Sequence, residues 1–273
     1  MVCVKQVPEV TEVKINPETG TLIREGVASI LNPFCEYALD QAFSLKQNSE
    51  EDISITTLSM GPPQAKSALH RCLELGSDEA ILLSDRNFAG ADTWATALTL
   101  AEAIKTLERR NKEPFDLIMV GKHAIDGDTG QVGPEVAEIL GRPQILYAVK
   151  MEYNKKRKRI RVKREAESGY DIIESKIPAI ISVSKGEPIR RFPSLKSVMD
   201  ARGKPLEVMT ANDLEIPIEE IGLKGSPTQV RKIFPPRERT QGMMIDGINN
   251  PEKAVDKLLN FLEERGFLKM EEE

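Results

Sequence analysis

The chain has 273 residues, which at about 150 residues per domain corresponds to roughly two domains, or to one α/β domain with an appendage. Apolar residues make up 40% and charged residues 30%, which excludes a disordered, collagen-like or disulfide-rich chain. The net charge of −5 gives the surface as a whole no attraction for nucleic acid or anionic lipid. No apolar run reaches the ~18 residues that a membrane span needs.

Three cysteines and two histidines leave little material for catalysis or metal binding by side chains. Cys3, Cys35 and Cys72 are widely spaced and form no C-x-x-C pair, which is typical of reduced thiols. The apolar run after Met1 is too short for an export signal. We therefore expect a cytoplasmic protein without a metal site.

The first ~150 residues alternate between short β-branched runs and helical patterns. Strands are predicted at 2–4, 53–58, 80–83, 117–120 and 144–147, and helices at 36–46, 64–75, 92–107 and 135–140. Trp94 heads the apolar stripe of the third helix, so we expect its side chain in the core. The alternation predicts a doubly wound, mostly parallel, Rossmann-like α/β sheet that binds ligands beyond the carboxyl ends of its strands.

After residue ~150 the rhythm changes to strands without long helices between them. Strands are predicted at 160–162, 170–174 and 179–183, which indicates a hairpin at the edge of the sheet. The run 155–164 is rich in lysine and arginine and allows a nucleic-acid patch. Alternation places its charges on one strand face opposite Ile160 and Val162, which favours a solvated hairpin face. We expect no nucleic-acid partner.

The last part of the chain is rich in proline and charge and ends in one amphipathic helix. Asn250 is the predicted N-cap of that helix, with Pro251 at the first helical position. An extended arm with one helix cannot build a core of its own, so we expect it to pack on another subunit; wrapping its own domain is the alternative. The predicted division is 1–200 for the α/β domain and 201–273 for the arm.

The strongest functional signal is the segment 121–134, which follows a predicted buried strand and precedes a helix. Its glycines allow tight turns with exposed N–H groups, and the helix N-terminus adds a partial positive charge, so it could cradle a phosphate. The segment has neither a G-x-G-x-x-G nor a P-loop ending, and a plain turn-rich loop is the alternative. Asp126 and Asp128 are expected in turn roles rather than at Mg²⁺.

Weaker signals lie at three other helix starts. Thr93 and Thr96, in the first turn after Asp92, could bind a second phosphate, with N-capping as the alternative. Asn32 and Met60 precede helices and could contact an adenosine edge, the first by hydrogen bonds and the second by packing, but a turn role is favoured for both. No nucleophile or acid–base constellation is present in the sequence.

Taken in order, these segments resemble the β subunit of electron transfer flavoprotein. The resemblance rests on the segments 4–8, 32–36, 58–62, 90–93, 121–134, 192–199 and 225–228, and it covers nearly the whole chain. It implies a heterodimer in which an α subunit carries FAD and this chain supplies a nucleotide-binding domain and an embracing arm. It also implies a recognition loop around Leu195, with Leu195 and Met199 docking acyl-CoA dehydrogenase-type partners from a protruding hairpin.

The resemblance further implies a set of nucleotide contacts. Those residues are Cys3, Asn32, Pro33, Phe34, Cys35, Met60, Gly61, Asp92, Thr93, Thr96, Gly121, Lys122, His123, Ala124, Ile125, Asp126, Gly127, Asp128, Thr129, Gly130, Gln131 and Val132. Some family members hold structural AMP here and only shuttle electrons, whereas electron-bifurcating members hold a second FAD that accepts hydride from NADH. Thr93, Thr96, Gly127, Thr129 and Gly130 resemble the bifurcating pattern. We therefore expect FAD, NADH as substrate and a low-potential acceptor such as ferredoxin.

Overall fold

The computed structural model describes residues 1–9, 28–186, 191–231 and 242–268. Residues 1–232 form one compact unit and residues 233–273 a second. The strands are β1 (Val2–Cys3), β2 (Gln6–Pro8), β3 (Ser29–Leu31), β4 (Thr56–Met60), β5 (Glu79–Leu83), β6 (Leu117–Gly121), β7 (Gln144–Asn154), β8 (Arg159–Ala166), β9 (Gly169–Lys176), β10 (Ala179–Val183) and β11 (Leu206–Met209). The α-helices are α1 (Pro33–Asn48), α2 (Lys66–Leu75), α3 (Thr93–Asn111), α4 (Val132–Leu140), α5 (Leu195–Ala201), α6 (Gly222–Gly225) and α7 (Pro251–Glu264).

Nine strands form one sheet in the order β11-β5-β4-β1-β6-β10-β7-β8-β9, while β2 and β3 pair separately. All pairs from β11 to β7 are parallel, and β7, β8 and β9 pair antiparallel. One apolar cluster joins the sheet to α1 and α2, and another joins it to α3 and α4. The predicted doubly wound α/β fold is therefore confirmed. The chain moves from β1 toward β4 and β5 on one side and resumes at β6 on the other, so the topological switch point lies between β1 and β6.

The antiparallel pairing of β7, β8 and β9 confirms the predicted hairpin at the edge of the sheet. The strand 179–183, which was predicted as part of that edge addition, instead forms β10 inside the sheet, parallel to β6 and β7. Ile160 and Val162 of β8 are buried, while Arg161 and Lys163 are exposed on the opposite face. In the strand register Arg161 lies between Glu152 of β7 and Glu174 of β9. This exposed face therefore carries both signs of charge.

Two expectations about exposed apolar residues are wrong. Trp94 is 43% exposed, because it lies in the first turn of α3 at the carboxyl edge of the sheet, where the helix has little sheet to cover it. Leu195 does not stand on a hairpin: it is the first residue of α5, which Ser194 caps by accepting a hydrogen bond from the Ser197 amide at 3.1 Å.

The segment after residue 200 contributes to the sheet. β11 pairs in parallel with β5, and Met209, Leu214 and Ile221 are buried in the cluster that contains α3 and α4. The arm predicted from residue 201 therefore contains one strand of the sheet and, after that strand, apolar residues buried against the α/β core. In the second unit, Asn250 caps α7 through the Lys253 amide at 3.2 Å, as its sequence predicts. Among the described residues, no helix has the length and apolar character needed to cross a bilayer.

Candidate nucleotide-binding site

The predicted site residues gather at the carboxyl edge of the sheet around the switch point. β1 ends at Cys3, which lies in register between Leu58 of β4 and Val120 of β6. Met60 is the last residue of β4 and Gly61 follows it, and Gly121 is the last residue of β6. The carboxyl ends of three neighbouring strands therefore meet where open α/β sheets bind ligands.

Gly121 lets α1 approach the end of β6 closely. A Cβ built at this position would lie 2.8 Å from the Phe34 carbonyl carbon and 3.0 Å from the Cys35 amide nitrogen. Both are backbone atoms at the start of α1, so no flexible side chain could move aside. Only glycine allows the N-terminus of α1 to rest directly against the end of β6.

Asn32 connects the start of α1 to the loop after β6. Its side-chain amide donates to the His123 carbonyl oxygen at 2.9 Å and to Cys35 Sγ at 3.3 Å. Its Oδ1 accepts a hydrogen bond from the Ile125 amide at 3.2 Å. The side chain is therefore held by protein groups, with one acceptor position left on Oδ1, and the adenosine contact stays a prediction.

The loop then makes a tight turn before α4. The Ala124 carbonyl oxygen accepts from the Gly127 and Asp128 amides at 3.1 and 2.8 Å. Asp128 (φ 54°) and Gly130 (φ 66°) adopt the left-handed conformation. Among the described residues, no acceptor is found for the amides of residues 129–133. These amides and the N-terminus of α4 form a region of positive potential that suits an anion.

Side chains of the loop pair with protein groups. Lys5 Nζ lies 2.8 Å from Asp126 Oδ1, and His123 Nε2 lies 3.1 Å from Asp128 Oδ1. The His123 ring packs 4.2 Å from the Phe34 ring, centroid to centroid. Both aspartates therefore tie the loop to neighbouring side chains, and Asp128 also adopts the left-handed backbone conformation found in turns.

The start of α3 is fixed from a distant part of the chain. Asp92 caps the helix by accepting from the Ala95 amide at 3.0 Å, and its second oxygen accepts from the Thr228 amide and hydroxyl at 2.9 and 2.8 Å. The Asp92 amide in turn donates to Ser226 Oγ at 2.8 Å. Desolvation works to raise the pKa of Asp92, but these hydrogen bonds together outweigh it and lower the pKa.

The N-termini of α3 and α4 lie side by side. Thr93 Oγ1 donates to Glu135 Oε1 at 3.1 Å, which links the first turns of the two helices. Burial raises the pKa of Glu135, and the nearby Asp92 carboxylate adds to that effect, while the bond from Thr93 opposes it. Thr96, one turn into α3, is half-buried. The partial positive charges at the N-termini of α3 and α4 therefore lie next to each other.

Lys122 turns away from these amides toward the antiparallel strands. Its Nζ lies 3.2 Å from Glu165 Oε2, to which the Ser184 hydroxyl also donates at 2.7 Å, and 5.0 Å from the centroid of the Tyr147 ring. Tyr147 is itself left-handed (φ 65°) beside the irregularity where β7 meets β10. The charge of Lys122 is thus balanced by protein, so anion binding in the loop depends mainly on backbone groups.

The thiols at the site are not poised for chemistry. Burial raises the pKa of Cys3 to about 12 and also raises that of Cys35. Both thiols therefore stay protonated near neutral pH, and the thiol form is a poor nucleophile.

The chain resembles proteins of known type over nearly its full length. Residues 19–214 match the family model described as the electron transfer flavoprotein domain. The chain is 45% identical over 258 residues to the electron transfer flavoprotein subunit beta of Megasphaera elsdenii, with 93% of this chain and 94% of the relative covered. This chain belongs to the electron transfer flavoprotein family, among its β subunits.

Two further relatives of this chain carry more specific names. One is the caffeyl-CoA reductase-Etf complex subunit CarD of Acetobacterium woodii, 42% identical over 93% of this chain and 94% of the relative. The other is the acryloyl-CoA reductase electron transfer subunit gamma of Anaerotignum propionicum, 40% identical over 94% of this chain and 97% of the relative.

Several residues that shape the site in this flavoprotein chain are missing from the sequence-based prediction. They are Lys5, Glu135, Glu165, Ser226 and Thr228, and each contacts a predicted site residue. Ser226 and Thr228 lie in a segment that the family resemblance had pointed out, but without a role. Spacing along the chain carries no signal for contacts across 134 or 136 positions.

Proposed function

We propose that this chain binds FAD at the carboxyl edge of its sheet, receives reducing equivalents from NADH and passes electrons to a flavin in an α subunit. The observation that carries the proposal is the pair of adjoining helix N-termini at Thr93 and Glu135. One phosphate occupies one helix end, whereas a pyrophosphate is large enough to use two. Structural AMP is the alternative, because it needs only the loop after β6.

The residues present fit a dinucleotide. The free amides at 129–133 and the N-terminus of α4 would hold one phosphate, and the Thr96 hydroxyl at the start of α3 the other. The Thr93 hydroxyl would join it by turning from Glu135 to the phosphate. Gly127, where a Cβ would have no atom within 4 Å, leaves space beside the loop for the remainder of the ligand. Cys3, Met60 and Gly61 would line the floor of the site at the ends of β1 and β4.

A flavin in this position would accept a hydride and release electrons one at a time. Protein side chains do not carry out this chemistry. The chain's own contribution would be to bind and orient the flavin and to exclude water from it. Its buried, protonated thiols would not compete for electrons. Bifurcation would send one electron toward the α-subunit flavin and the other to a low-potential acceptor such as ferredoxin.

The α5 segment would dock the dehydrogenase. Leu195 and Met199 lie four residues apart on α5 and are 78% and 63% exposed, with Phe192 also exposed just before them. An exposed apolar cluster of this kind suits a protein partner. Two relatives are named as parts of CoA-ester reductase systems, so an acyl-CoA-type dehydrogenase is the proposed partner.

The C-terminal arm would contact the α subunit. In α7 the apolar side chains Val255, Leu258 and Leu259 are each about half exposed, although their spacing forms one stripe. An amphipathic helix with an uncovered apolar face gains stability when a partner buries it. The three free cysteines suit the reducing cytoplasm as the location of this complex.

The test is the nucleotide content of the purified αβ heterodimer. Nucleotides released by denaturation are separated and counted against protein, and NADH oxidation is followed with an artificial acceptor. We expect two FAD and no AMP per heterodimer, together with NADH oxidation. One FAD and one AMP without NADH oxidation would establish the AMP-holding alternative and overturn the proposal.

A further inference from the structure

The helix α5 turns apolar side chains toward solvent. Leu195 and Met199 are exposed on one face, whereas Ala201, at the end of the helix, is buried in the apolar cluster that contains α2. With seven residues, α5 is too short for its own hydrogen bonds to keep it folded. Its position therefore depends on contacts with the rest of the fold.

The C-terminal end of α2 supplies polar contacts that hold α5. The Ser197 hydroxyl donates to the Glu74 carbonyl oxygen at 2.5 Å. Lys204, three residues after α5 ends, donates through Nζ to the Ser77 carbonyl oxygen at 2.7 Å and to that of Leu73 at 3.3 Å. The last carbonyl groups of a helix lack partners inside the helix and carry partial negative charge, so an ammonium group suits them well.

These contacts determine which face of α5 is presented to solvent. Ser197 lies two residues from both Leu195 and Met199, which places it on the opposite side of the helix. All three hydrogen bonds are partly shielded from water, and those of Lys204 carry a full charge. The helix therefore cannot turn or leave the end of α2 without breaking them.

We infer that Ser197 and Lys204 are positioning residues: they hold α5 on the end of α2 and so present Leu195 and Met199 to the partner in one orientation. The inference rests on the proposed function, because it takes α5 as the segment that docks the dehydrogenase. A docking surface that is ordered only part of the time binds more weakly, in proportion to the ordered fraction. Loss of the contacts should therefore weaken docking and leave electron transfer within the docked complex unchanged.

The experiment uses the purified αβ heterodimer, with a butyryl-CoA dehydrogenase as the probe. Electron transfer at varied heterodimer concentration gives KM and kcat, and hydrogen–deuterium exchange without the dehydrogenase reports on residues 195–201. Lys204→Met should raise KM about 5–10-fold, speed exchange in α5 by a similar factor and leave kcat within about twofold. Lys204→Arg keeps a cationic donor and should restore most of the loss.

Ser197→Ala tests the second contact. It should raise KM about threefold, since it removes one neutral hydrogen bond. Alanine favours a helix more than serine does, so faster exchange in this variant could not come from a lower helix propensity. Circular dichroism shows whether each variant is folded, and Ser197→Ala keeps the test usable if Lys204→Met does not fold.

Lys105→Met is the matched control. It makes the same substitution in α3, where Lys105 Nζ lies 2.7 Å from Glu102 of the same helix. It should leave KM and exchange in α5 within about twofold of the wild type.

Unchanged exchange in α5 in both Lys204→Met and Ser197→Ala would overturn the inference. Faster exchange with unchanged KM, or a fall in kcat in place of the rise in KM, would overturn it as well. Leu195→Lys separates this result from the proposed function. If Leu195→Lys leaves KM unchanged, docking through α5 fails and the inference fails with it; if Leu195→Lys raises KM and Lys204→Met does not, the inference alone fails.

Discussion

Gly121 offers the sharpest test of how the site is built. In Gly121→Ala, the added Cβ would lie 2.8 Å from the Phe34 carbonyl carbon, where ordinary contact begins at 3.4 Å. Relief requires a shift of about 0.6 Å, and the atoms in the way belong to the backbone of α1. The start of α1, with Asn32, must therefore move relative to the loop.

Overpacking of this kind costs about 1–3 kcal/mol. At about 2 kcal/mol, a unit of this size should lose about 4–8 °C from its thermal midpoint. Nucleotide affinity should also fall, because the displaced α1 no longer holds the loop. Urea unfolding gives the change in the free energy of unfolding, and titration with FAD and AMP gives the change in affinity.

Gly127→Ala is the control for this prediction. It adds the same methyl group six residues further along the same loop, where no atom lies within 4 Å. We expect its free energy of unfolding to stay within about 0.5 kcal/mol of the wild type. The reasoning is refuted if Gly121→Ala is as stable as Gly127→Ala and binds nucleotide as tightly as the wild type.

Three other changes test separate parts of the account. Thr93→Val should weaken FAD about 10-fold and leave AMP unchanged in titrations; equal losses for both would contradict a pyrophosphate at α3. Leu195→Lys should slow electron transfer to the dehydrogenase at unchanged flavin content, and an unaltered rate would remove Leu195 from the docking surface. Burial raises the folded-state pKa of Asp40 to about 6, although the nearby Arg191 acts to lower it. Folding therefore favours the protonated form, and the stability of wild type relative to Asp40→Asn should fall as pH rises from 4 to 7 in thermal scans.

The layered core was predictable because it repeats locally. Strand runs such as 80–83 and 117–120 and the helical stripe of α3 are visible within single windows of sequence, and the structure contains all of them. Trp94 shows the limit of that method. The period places it on the buried face, but a stripe carries no information about where the sheet beneath the helix ends.

The arrangement of the site was predictable only as a set of neighbouring strand ends. Topology alone brings Cys3, Met60 and Gly121 together. The pairing of Asp92 with Thr228 or of Lys5 with Asp126 depends instead on side-chain directions across more than 100 residues. Asn32 is the clearest case, because its local context indicates only an adenosine contact or a turn, and in the folded chain its side chain pairs with His123 and Ile125, 91 and 93 positions away.

The proposed anion site would rely on backbone amides rather than on cationic side chains. Lys5 and Lys122 are each held by a carboxylate of the protein, so their positive charge is largely compensated, and His123 lies against Asp128. What remains for a phosphate is the set of backbone amides at 129–133 and the helix ends of α3 and α4. Amides bind only when the loop has the right shape, which makes the residues that shape it as important as those that touch the ligand. Recognition by backbone would account for the small number of cationic side chains at the site, and Gly121 and Gly130 stand where a side chain would meet backbone atoms.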